Sequence, residues 1–97
     1  MLQELENLRE KYRKLTASLS DPSILNDHQK LKSISKERAE LEPVVKKYEL
    51  YQNIQINIKE SEEILEDEEA DQELKQLAEN ELEELRKKEE EVEDELK

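Results

Sequence analysis

Five apolar side chains near the start of the chain, Leu5, Leu8, Tyr12, Leu15 and Leu19, fall at alternating spacings of three and four residues. That spacing draws one stripe along a helix. Charged residues make up 45% of the sequence and hydrophobic residues 33%, a balance that fits either disorder or long solvated helices. The regular stripe selects helices. It predicts a helix over residues 2 to 19, with Leu2 flanking the stripe and charged residues on the other faces. A lone helix of this length is marginal in water, so the stripe implies a packing partner.

The stretch LSDPSILND, Leu19 to Asp27, interrupts the pattern. Pro22 has no backbone N–H and disfavours helical geometry at Asp21. Ser20 and Asp21 can turn their side chains back onto nearby N–H groups. Pro22 can open one short turn over Ser23 to Leu25. Asn26 then reads as an N-cap, with Gln29 three residues on in a box-like pattern. The stretch has the chemistry of a stop, a corner and a restart, with Ile24 and Leu25 expected to tuck under the corner as an apolar plug.

A second helical pattern runs from about Asp27 to about Glu66. Leu31, Ile34, Leu41, Val44, Val45, Tyr48, Tyr51, Ile54, Ile58 and Leu65 recur at helical spacing. Arg38 lies on the same stripe, and its expected role is a buried stem whose guanidinium reaches an edge carboxylate. Pro43 kinks or breaks this helix. A mid-helix proline costs about 3 kcal/mol, whereas proline at a helix's first position costs far less. The stripe stays in phase from Leu41 to Val44 and Val45 with no turn residues between, which favours one kinked helix. Ile54 to Ile58, IQINI, alternates as a strand would, but a strand without a partner leaves its backbone unpaired. On a helix, Ile54 and Ile58 share the core face and Ile56 points nearly the opposite way. Ile56 is therefore either an ordinary exposed isoleucine or a contact with a partner.

The run EDEEADQE, Glu66 to Glu73, is a charged corner that crowds carboxylates at a helix N-terminus, where the dipole welcomes them. A third helix is expected from about Ala70 to the end, striped by Leu74, Ala78, Leu82, Leu85, Val92 and Leu96 with help from Leu77. The expected fold is all-α: an elongated, coiled-coil-like antiparallel three-helix bundle over residues 1–97, a single helical domain. Met1 reads as a natural start, and the stripe still running at Lys97 reads as a cut, so the domain is expected to be the N-terminal fragment of a longer protein.

The formal net charge is -12, unevenly spread. Residues 1 to 65 carry twelve acidic and eleven basic side chains; residues 66 to 97 carry sixteen and five. Phosphates are bound by Lys and Arg, so the acidic arm argues against RNA or anionic-membrane contact there and permits a basic protein partner. An acidic helix face also serves simply to keep a chain in solution. There is no cysteine, hence no disulfide and no thiol chemistry, which suits the cytoplasm. No signal-peptide core or membrane-length apolar run is present. With no glycine, a phosphate-cradling loop is excluded. His28 alone makes zinc or a Ser-His-Asp arrangement improbable. The expectation is a helical interaction module with no catalytic, metal or cofactor site.

The order of features is more specific. The LSDP corner, the short plug, ND, and then LKSISKERAELEPVVKKYELY resemble the start of the bacterial class I peptide chain release factors of the UAA- and UAG-reading type, with Glu42-Pro43 favouring that type over the UGA-reading one. ELEEL in the third helix fits as well. The resemblance implies a part in translation termination, in which the intact factor reads a stop codon through a Pro-x-Thr motif and triggers peptidyl-tRNA hydrolysis through Gly-Gly-Gln. Neither motif is in this chain. It further implies docking near the ribosomal large-subunit stalk base and interplay with the class II GTPase release factor. The chain itself is expected to be a monomer. The competing expectation is a freestanding coiled-coil scaffold or adaptor.

Overall fold

The computed structural model describes residues 2–97. Four helices follow in order: α1 over Leu2–Ser18, α2 over Pro22–Leu25, α3 over His28–Glu66 and α4 over Gln72–Leu96. Among the described residues there is no strand, and IQINI lies within α3. The all-α expectation holds. Helix α3 also runs through Pro43 without a break, so the stripe's unbroken phase outweighed the proline's missing N–H.

The LSDP corner is built as its chemistry dictates. Asp21 caps α2, its carboxylate accepting from the Ser23 N–H at 2.9 Å, and Pro22 occupies the first turn, where no N–H is needed. Asn26 is not the N-cap expected for α3. It closes α2 in right-handed helical geometry, its N–H turned to the Ile24 and Pro22 carbonyls. Asp27 takes the capping role instead, accepting from the Lys30 N–H at 3.2 Å. Both residues suit a cap, and one residue of register decided between them. The plug is also only partial: Ile24 is half-buried but Leu25 is 49% exposed, because a single turn cannot aim two adjacent side chains at one neighbour.

The chain forms two compact units, Met1–Tyr48 and Glu49–Lys97, with α3 contributing to each. In the first, Thr16 meets Arg38, Lys11 meets Glu37 and Glu6 meets Tyr48. Descending positions on α1 thus meet ascending positions on α3, so the pair is antiparallel. Leu5, Val45 and Tyr48 are its buried side chains, with Leu8, Tyr12, Leu15, Leu41 and Val44 half-buried around them. In the second unit, Arg86 meets Glu62, and the Glu89 and Glu93 carboxylates act on Tyr51, again an antiparallel order. Tyr51, Ile54 and Ser61 from α3 and Ala78, Leu82, Leu85 and Val92 from α4 are buried there. Among the described residues, no buried side-chain polar atom lacks a hydrogen-bond partner.

Candidate interaction surface

The polar groups of the first unit serve the helix pair. Tyr48, 5% exposed, donates its hydroxyl to the Glu6 carboxylate at 2.8 Å, while Arg9 pairs with Glu6 at 2.7 Å. The Tyr48 bond, then Arg9, hold the Glu6 carboxyl below its ordinary value. Arg38 has a different partner from the carboxylate expected of it. Its Nε donates to the Thr16 hydroxyl at 2.8 Å and its guanidinium sits 4.7 Å from the Tyr12 ring centroid. A planar cation stacks well on a half-buried aromatic, and α1 offers Tyr12 one turn from Thr16. The Lys46 ammonium is held above its ordinary value, chiefly by its hydrogen bond to Glu42. These groups staple α1 to α3 or brace the surface of α3.

The second unit carries four exposed large apolar side chains. Ile56 is 56% exposed on α3, and Leu50 is 49% exposed. They belong to a stretch, Leu50 to Ile58, with no charged residue. On α4, the stripe residue Leu74 is 44% exposed, and Leu77, expected to help the stripe, is 61% exposed. Leu77 adjoins the buried Ala78 and so points about 100° away from it. Leu74 shares Ala78's face but lies in the first turn of α4. Asp71 caps α4, accepting from the Leu74 N–H at 2.8 Å. Burial, with Glu93 and Glu89 nearby, pushes the Tyr51 phenol up, so it stays protonated.

A shallow groove borders α4, lined by Leu65 of α3 and by Gln76, Asn80, Glu83, Arg86 and Glu90 among others. Its acids and bases are side chains at the edge of a helix pair, and Arg86 is already engaged by Glu62 at 3.3 Å. His28 is exposed in the first turn of α3. Among the described residues, no three His, Cys, Asp or Glu side chains converge as a metal site, and no helix is long and apolar enough to cross a membrane. The exposed leucines of α4 were missed from the sequence; their signal was the position of Leu77 directly beside Ala78 and the apolar-poor run that precedes them.

A family model described as the PCRF domain matches residues 8–97. Peptide chain release factor 1 of Clostridioides difficile (strain 630) is 43% identical over 97 residues, which is 100% of this chain and 27% of that protein. The proteins of the same name from Alkaliphilus metalliredigens (strain QYMF) and Alkaliphilus oremlandii (strain OhILAs) are 42% and 40% identical over the same shares. The chain thus spans about a quarter of the length of these curated relatives, 27% in each case. No solved structure matches it.

Proposed function

Since the chain belongs to the PCRF domain family, we propose that it is one helical domain of a bacterial class I peptide chain release factor and acts in translation termination. The observation that carries this reading is identity of about 40% along all 97 residues to proteins named peptide chain release factor 1. The domain's part is docking, not chemistry. It engages the ribosome near the stalk base of the large subunit, in the cytoplasm and as a monomer, and communicates with the class II GTPase release factor. Peptide release belongs to the Gly-Gly-Gln motif of the intact factor, and this chain has no glycine. Ile56, exposed in an uncharged stretch of α3, is the residue proposed for partner contact.

Co-sedimentation with ribosomes stalled at a stop codon tests the proposal. The chain should pellet with them, yield to the intact factor added in excess, and release no peptide. Failure to associate with ribosomes at low salt would overturn the docking role, and measurable release would overturn the assignment of chemistry elsewhere. Sedimentation equilibrium of the chain alone should return a monomer; a stable oligomer would favour a scaffold.

A further inference from the structure

We propose that the corner joining α3 to α4 docks a basic amphipathic helix of a protein partner, with Leu74 and Leu77 as its apolar seat. Two independent features meet there. Leu74 and Leu77, three residues apart on one side of α4, leave 44% and 61% of their surface exposed. The chain leading into them is strongly acidic: from Glu60 to Leu74 there are nine acidic residues and no basic one, with Lys59 and Lys75 bounding the run. Glu81 and Glu84 continue the Leu77 side of α4 with the same sign and are exposed. Asp71 fixes the first turn of α4, so the leucines sit on an ordered platform.

The acidic run names the occupant. A nucleic-acid backbone or an anionic lipid surface brings phosphates against carboxylates and is repelled. A second copy of the chain brings the same acidic run and is repelled likewise. A helix with Lys or Arg on its flanks and Leu-like residues at helical spacing satisfies both features: its apolar side covers the leucines and its cations face the acidic run. The seat is small, so the contact is transient and salt-sensitive. This inference rests on exposure and charge alone and stands apart from the ribosomal reading, so either can fail without the other.

The test titrates the 97-residue chain with a synthetic Lys/Leu peptide of about 18 residues, patterned at 3.6 residues per turn, and with an isomer of equal composition and scrambled pattern. Leu74→Gln with Leu77→Gln keeps helix propensity and should weaken the patterned peptide about tenfold, while Leu77→Gln alone, at a site 61% exposed, should weaken it as well and leave the thermal midpoint unchanged. Replacing Glu66, Glu68, Glu69 and Glu73 by Gln, which spares the α4 cap Asp71 and Asp67, whose carboxylate accepts from the Glu69 N–H at 2.9 Å, should flatten the salt dependence. Equal binding of the scrambled isomer, or indifference to the leucine changes, would show attraction by charge alone and overturn the proposal. So would binding of poly-uridine or of anionic vesicles at this corner, or self-association abolished by Leu77→Gln.

Discussion

At the scale of single residues, the two ends of a long-range pair matter more than any lone group. Tyr48 and Glu6 are separated by 42 positions, yet the Tyr48 hydroxyl reaches the Glu6 carboxylate at 2.8 Å. Because that bond holds the Glu6 carboxyl below its ordinary 4.5, the folded chain takes up this proton less readily than the unfolded one. The pair's contribution is therefore complete above about pH 4.5 and is lost as pH falls through the lower, folded value. Tyr48→Phe should lower the thermal midpoint at neutral pH, and the gap between variant and parent should close as the pH falls below the ordinary 4.5. A gap that stayed constant with pH would mean the hydroxyl acts through something other than the ionised Glu6. Val45, 1% exposed, carries no such dependence: Val45→Ala should cost about 2 kcal/mol at any pH in chemical denaturation. Ile56→Glu, at a site 56% exposed, should move stability by no more than about 0.5 kcal/mol, while reducing ribosome association if that face is the contact.

Elements carry a different kind of consequence, because a helix is decided by sums over many residues. Helix α3 keeps Pro43 in its interior; the Ala39 carbonyl loses its usual donor four residues on. Pro43→Ala should restore that bond and stabilise the protein by about 1 to 3 kcal/mol. A loss of stability would show that the proline fits a bend the packing requires. At the start of α4, Asp71→Ala removes the cap on Leu74 and should cost about 1 kcal/mol, with amide exchange accelerating first in residues 72–75. The helices themselves were legible because their signals are local and repeated. The stripe from Leu5 to Leu19, the Asp21-Pro22 stop and the phase kept across Pro43 all read correctly within a few residues. What was not legible depended on geometry between elements. Asn26 and Asp27 differ by one step of register, the choice of Tyr12 over a carboxylate by Arg38 needs α1 laid beside α3, and the exposure of Leu25 and Leu77 depends on how little lies near them. The exposed seat on α4 was hidden for the same reason: a leucine looks like core until its neighbours are counted.

For the molecule as a whole, the division into two units sharpens a charge asymmetry that the sequence only outlines. Residues 1–48 hold ten basic and eight acidic side chains, whereas residues 49–97 hold six and twenty. One unit is therefore slightly cationic and the other strongly anionic. Most of the carboxylates of α4 are exposed, and the Lys87–Glu83 and Lys97–Asp94 pairs, at 3.9 and 3.6 Å, are too open to offset much of the repulsion. Like charges four residues apart on a helix destabilise it, and salt screens them. The first unit has far less to screen, and its cross-helix contacts include short ones such as Lys11–Glu37 at 2.6 Å, which salt would weaken if anything. Raising ionic strength from about 0.01 M to about 0.3 M shortens the screening length several-fold. Amide protection in α4 should therefore rise, while that in α1 stays level or falls. Exchange measured residue by residue at the two salt levels checks this directly. Equal gains in both helices would mean that salt acts through apolar burial common to the two units, and the anionic unit would then need no partner or counterion to relieve its own field.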